Sequence, residues 1–117
     1  MKRPLLGRIS LLTVCGLALA ATALAADVEH GKSVYASRCA FCHGANGNGD
    51  GPAGAALKPP PTNFTDPGYW TAAKPEAIKA AIENGKPATA MMPFKSALGP
   101  ADIDDVSAYL RTFAPHP

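Results

Sequence analysis

Apolar and small positions return at helical spacing in three places along this chain. In the first, Gly31, Val34 and Tyr35, with Arg38 continuing the row, follow at intervals of three and four, so one amphipathic helix is expected from Val28 to Phe41. Asp27 stands where a capping carboxylate belongs, and Glu29 and His30 fall in the first turn. In the second, Ala77, Ile78, Ala81 and Ile82 make the apolar face of a helix that opens at Pro75 and runs through Asn84, with Gly85 as its stop. In the third, Ile103, Val106, Tyr109, Leu110 and Phe113 stripe a helix that opens at Gly99-Pro100 and runs to about Phe113. Asp102, Asp104 and Asp105 near its amino end and Arg111 near its carboxyl end suit the helix dipole.

The intervening segments break any regular pattern. Gly44 to Gly54 is glycine-rich and reads as irregular backbone; no strand precedes it and no Lys-Ser/Thr follows, so it is not a phosphate-binding loop. Lys58-Pro59-Pro60-Pro61 should lie extended as a stiff wall, and Asp66-Pro67-Gly68 reads as a turn. Met91, Met92, Pro93 and Phe94 share one short loop. No stretch alternates as a strand would. The expectation is one all-α domain of three to five helices with long structured loops.

The first residues change the picture. Lys2, Arg3 and Arg8 precede an apolar run from Ile9 to Ala21, and Ala23-Leu24-Ala25 supplies small residues where a signal peptidase reads. The run is shorter than the roughly 20 residues that span a bilayer, so residues 1–25 are expected to be a removable signal peptide and 26–117 the mature domain, without an integral membrane span. Removal takes three basic residues and Cys15 with it. The remaining eight basic and nine acidic side chains nearly cancel, which offers no basic surface for nucleic acid and argues against strong steering by one sign of charge.

Cys39 and Cys42 remain, and the pentapeptide Cys39-Ala40-Phe41-Cys42-His43 carries the chemistry. Two thiols three positions apart at a helix end can each add to one vinyl group of a single porphyrin, and the adjacent His43 can then bind iron. A zinc site would need about four protein ligands. A dithiol switch of the thioredoxin kind would need a βαβ setting. A disulfide across so short a loop would be strained. One covalent haem c is therefore the expected cofactor. The second axial ligand is expected from Met92, with Met91 as the alternative; Pro93 restricts the residue before it and would hold Met92 toward the haem crevice. His30 and His116 are read as exposed, structurally idle side chains.

The order of that pentapeptide, a late Met92-Pro93-Phe94 loop and a final amphipathic helix resembles class I c-type cytochromes, the monohaem, exported bacterial kind, over essentially all of residues 26–117. The resemblance implies the cytochrome c fold wrapped around one haem. It implies that the first and last helices cross with Gly31, Tyr35 and Tyr109 at the contact. It also implies that a proline carbonyl, from Pro59, Pro60 or Pro61, orients His43, and that Tyr69 and Trp70 could donate to a haem propionate. Pro60, Pro61, Phe64, Trp70 and Phe94 are candidate pocket residues, and Leu57, Ile78, Ile82 and Leu98 further walls. The stretch from Gly44 to Pro67 is longer and richer in glycine and proline than the family pattern. The function implied is electron transfer between periplasmic redox proteins, as a monomer or as a dedicated subunit of a dehydrogenase or sulfur-oxidising complex, and not enzymatic catalysis. A haem peroxidase or a gas-binding sensor is the remaining alternative.

Overall fold

A computed structural model describes residues 24–117, together with Lys2 and Gly7. The apolar run of the expected leader, Ile9 to Ala21, and Cys15 lie outside the described residues. Five α-helices follow in order: α1 Val28–Arg38, α2 Ala40–His43, α3 Pro67–Ala72, α4 Pro75–Asn84 and α5 Pro100–Leu110, the last tightening into a 3₁₀ turn at Arg111–Phe113. Among the described residues there is no strand, and no helix is long and apolar enough to cross a membrane.

The core forms where α1 meets α5. Val34 and Tyr35 from α1 and Ile103, Val106 and Leu110 from α5 are buried, Val106 completely. Gly31 lets the two backbones touch: a β carbon there would fall on the Asp105 carbonyl oxygen. Around that contact Tyr35, Tyr109 and Phe113 pack in tilted and edge-on pairs, with ring centroids 5.2–5.4 Å apart, an arrangement aromatic quadrupoles favour. The expected meeting of Gly31, Tyr35 and Tyr109 is thus present.

The polar ends of the same helices are joined as well. Asp27 caps α1 by accepting the His30 N–H at 3.0 Å, and its own N–H donates to Asp105 Oδ1 at 2.7 Å. His30 is exposed but not idle. Its Nδ1 lies 2.8 Å from Asp105 Oδ2 and its Nε2 3.6 Å from Asp102 Oδ1, so it ties α1 to α5. The acids of α5 therefore do more than complement a dipole: Asp102 also accepts the Gly99 N–H at 2.9 Å, and Asp104 pairs with Lys79 of α4.

Two expected boundaries move. The first helix does not run unbroken to Phe41; it stops at Cys39 (φ −121°, ψ −38°) and restarts as the single turn α2. Asp66-Pro67-Gly68 is not a free turn but the start of α3, where the Asp66 carboxylate accepts the Gly68 N–H at 2.8 Å and Pro67 occupies the first helical position. Turn and helix-start signals share the same residues, Asp followed by Pro, and the six residues after Asp66 are too few to show a period.

Candidate functional site

The pentapeptide is held by the loop that follows it. As a single turn, α2 leaves its carbonyls without helical partners. Ala40 accepts the N–H of Gly44 at 2.8 Å, Phe41 that of Ala53 at 2.9 Å, Cys42 that of Gly51 at 3.1 Å and His43 that of Gly49 at 2.7 Å. The glycine-rich run is therefore a cap folded back over the pentapeptide. At Gly54 a β carbon would strike the Cys42 carbonyl oxygen, so the approach requires glycine. Tyr35 locks the arrangement from the core side, donating its hydroxyl to the Gly44 carbonyl at 2.6 Å.

His43 is oriented from behind. Its Nδ1 lies 3.1 Å from the Thr62 carbonyl oxygen, and its ring stacks on Phe64 with centroids 4.8 Å apart. A carbonyl can only accept, so Nδ1 carries the proton and Nε2 keeps its lone pair. Burial holds the imidazole below its ordinary basicity, against the opposing pull of the Thr62 hydrogen bond, and the Lys86 charge adds to the lowering. A neutral imidazole with a basic Nε2 is the form that binds iron. The acceptor is Thr62 rather than any of Pro59, Pro60 or Pro61. The Phe64 N–H bonded to the Gly47 carbonyl at 2.7 Å fixes the register of this segment and brings residue 62 to the ring. Because the contribution is a main-chain oxygen, no side-chain pattern could have revealed it.

Cys39 and Cys42 are half-buried and unbridged. Burial, with a smaller contribution from Cys42, pushes the Cys39 thiol up to about 11, so it remains a protonated thiol at neutral pH rather than a reactive thiolate.

Beside these groups opens a cavity of about 910 Å³, within the roughly 300–1,000 Å³ usual for cofactor sites. Cys39, Cys42 and His43 line it, as do Pro59, Pro60, Pro61 and Phe64. So do Leu57, Ile78, Ile82 and Phe94, and both Met91 and Met92. The methionine loop is fixed at its base: Gly85 ends α4 at φ +68°, the Lys86 N–H bonds the Met91 carbonyl at 3.1 Å, and the Phe94 N–H bonds the Ile82 carbonyl at 2.9 Å. Met92, just before Pro93, is 62% exposed, whereas Met91 is half-buried.

Two expected pocket residues lie elsewhere. Trp70 does not line the cavity; its indole N–H donates to the Phe64 carbonyl at 2.6 Å, and Arg111 sits over its ring at 5.1 Å. It braces Phe64 from the far side and has no donor left for a propionate. Leu98 belongs to the core. Tyr69 does face the cavity. Sequence reasoning passed over the cavity's basic residues, Arg38, Lys74 and Lys86, because they are scattered over three segments.

The family model for cytochrome c matches residues 28–114, so the chain belongs to the cytochrome c family. It is 39% identical to cytochrome c6 of Synechocystis sp. over 89 residues, covering 76% of this chain and 68% of that protein. To cytochrome c6 of Nostoc sp. it is 37% identical over 108 residues, covering 88% of this chain and 90% of the relative. Among solved structures, the c-type cytochrome KustC0563 superposes with a TM-score of 0.61 at 31% identity, over 73% of this chain and 98% of the other. A reducing HAO-like protein complex of Kuenenia stuttgartiensis gives a TM-score of 0.65 at 31% identity, but this chain spans only 43% of that one. The all-helical architecture and these relatives define a class I monohaem c-type cytochrome, an electron-transfer protein whose cofactor is covalent haem c. The donor set fits that group: two unbridged thiols, an imidazole with its Nε2 lone pair available and two thioethers line one largely apolar cavity.

Proposed function

We propose that the protein is an exported one-electron carrier. In this reading Cys39 and Cys42 would hold the haem through two thioether bonds, and His43 Nε2 and Met92 would ligate its iron. The observation that carries it is the Thr62 carbonyl holding the His43 Nδ1 proton beside a cavity that the two thiols and the methionine loop also line. Haem in that site supplies a one-electron iron couple. The chain's own part is to fix both ligands and to surround the site with apolar walls, which would keep reorganisation small and, with a thioether and an imidazole as the ligands, would raise the reduction potential. Met92 is favoured over Met91 because Pro93 restricts its backbone, and its main chain takes no part in the loop hydrogen bonds that occupy both the N–H and the carbonyl of Met91. The basic leader and apolar run of residues 1–25 support export, and an intact mass of the exported product tests leader loss and haem addition together.

A second reading, a dedicated cytochrome subunit of a larger redox assembly, is favoured by the match to part of the Kuenenia complex and to 16% of the dihydro-haem d1 dehydrogenase NirN, at a TM-score of 0.56 and 34% identity. Co-purification with a large partner would select it.

The decisive variant is Met92→Ala. It should open one coordination position, lower the reduction potential and let the ferrous protein bind carbon monoxide, which the parent should not do. An unchanged spectrum and potential would move the ligand to Met91 or a histidine. Full carbon monoxide binding by the parent at neutral pH would end the six-coordinate carrier reading.

A further inference from the structure

Trp70 is not a wall of the haem cavity, yet it holds what stands behind His43. Its indole N–H donates to the Phe64 carbonyl at 2.6 Å, and the Phe64 N–H donates to the Gly47 carbonyl at 2.7 Å. Both main-chain polar groups of residue 64 are therefore tied, one to α3 and the other to the glycine-rich loop. The buried Phe64 ring stacks on the His43 imidazole, and two residues earlier the Thr62 carbonyl takes the His43 Nδ1 proton. One short segment thus supports the imidazole twice, and Trp70 anchors its carboxyl end.

Trp70 is itself well fixed. Asp66 caps the six-residue helix α3 by accepting the Gly68 N–H at 2.8 Å. Tyr69 meets the indole edge-on, with ring centroids 5.0 Å apart. The Arg111 guanidinium lies over the indole at 5.1 Å, within the roughly 6 Å over which a cation is drawn to an aromatic face. Arg111 comes from the 3₁₀ turn after α5, so the brace runs from the last helical segment to the one behind His43. A tryptophan that only packed would need some acceptor for its N–H. This one takes the carbonyl two residues past the carbonyl that orients His43.

We propose that Trp70 is a positioning residue for His43: by holding the Phe64 carbonyl it keeps the Thr62 carbonyl on the Nδ1 proton, and so sets how strongly the imidazole donates to iron. The proposal rests on the reading that His43 ligates the haem iron. A carbonyl that accepts the Nδ1 proton makes Nε2 a stronger donor, and a stronger donor favours the ferric state and lowers the reduction potential. Without the indole N–H, the segment from Thr62 to Phe64 is tied on one side only. The bond to Nδ1 then weakens, and the potential rises.

Trp70 is the chain's only tryptophan, so supplying β-(3-benzothienyl)alanine in place of tryptophan exchanges the N–H for sulfur at this position alone and keeps the ring. The test compares that haem-loaded protein, and Trp70→Phe, with the parent. It reads the midpoint potential by voltammetry and the exchange of the His43 Nδ1 proton into heavy water in the ferrous state. Removing the donor should raise the potential, so that the ratio of reduced to oxidised protein at a fixed potential increases about twofold to fivefold, the worth of one hydrogen bond. The Nδ1 proton should exchange faster, and Trp70→Phe should shift the potential in the same direction. A potential that stays in place in the benzothienyl protein, even with a lower Tm, would overturn the proposal and leave Trp70 a packing residue. So would a fall in potential, or an Nδ1 proton as protected as in the parent. Failure of the ligation reading looks different: the parent itself would lack the strongly shifted ring resonances of an imidazole bound to haem iron.

Discussion

The α1–α5 crossing and the haem cavity are built on different terms. The crossing is complete in itself: Val106 and Tyr35 are closed off from solvent, the helices touch at backbone distance through Gly31, and the polar ends are joined by Asp27, His30 and Asp105. The cavity side is a frame of loops. Its walls hang from main-chain hydrogen bonds between those loops. A chain this small buries limited apolar surface, so it completes one half of its core with side chains and leaves the other half to its cofactor. Damage to the crossing should therefore lower stability while sparing the haem electronics, and damage to the frame should do the reverse.

Gly31→Ala strikes the first half. Its β carbon meets the Asp105 main chain, which can yield only if the helices separate, and overpacking of this kind costs about 3 kcal/mol. Calorimetry of the haem-loaded variant should show a marked loss of Tm with an unchanged absorption spectrum and potential. A shifted potential would mean that the two halves are not separable. Gly54→Ala strikes the second half. Its β carbon would push the loop off the Cys42 carbonyl for about 1–2 kcal/mol, and here the potential and the Met92-dependent spectrum should move while Tm changes less.

Tyr35→Phe probes a side chain that belongs to both. Its ring fills the crossing and its hydroxyl holds the Gly44 carbonyl beside the pentapeptide. Deleting the hydroxyl removes one of two donors to the buried Gly44 carbonyl, which keeps the Gly47 N–H at 3.1 Å, a loss of about 1 kcal/mol. The expected outcome is a modest fall in Tm together with a small shift in potential. An effect on Tm alone would confine Tyr35 to the core.

What was legible in the sequence follows the same division. The crossing could be read because it is made of side chains at helical spacing: Gly31, Val34 and Tyr35 on one helix, Ile103, Val106 and Leu110 on the other. The pentapeptide could be read because its chemistry fixes its spacing. The frame could not, because its working parts are main-chain atoms. Thr62 contributes a carbonyl, and the loop from Gly49 to Ala53 contributes N–H groups to α2, so no residue type announces either role. Trp70 was misplaced for a related reason. An aromatic residue with a donor suits a propionate or a main-chain carbonyl equally well, and only the fold shows that Phe64 holds it. Likewise the turn signal at Asp66 concealed α3, and the spacing of His30 gave no hint of Asp105, 75 residues away.

That last contact gives the smallest effect and the clearest sign. The hydrogen bond to Asp105 raises the basicity of His30 above its ordinary value, with the Asp102 and Asp27 charges adding to it. The protonated form is thus favoured in the folded chain. Its contribution is fully present below the ordinary histidine value near 6.5 and is lost as pH rises through the raised one. Asp105, held below its usual range by the Asp27 N–H and then by His30, contributes above its ordinary value of 3.8 and fails as pH falls beneath it. Between those limits the clamp is charged on both sides. His30 is open to solvent and Asp105 partly so, so salt screens the pair and the change in Tm should be slight. His30→Gln should remove the decline in Tm as pH rises above the ordinary histidine value, and its salt dependence, while leaving the haem spectrum untouched; a variant that kept the decline would place the responsible group elsewhere, and one that altered the spectrum would break the separation between the two halves of the molecule.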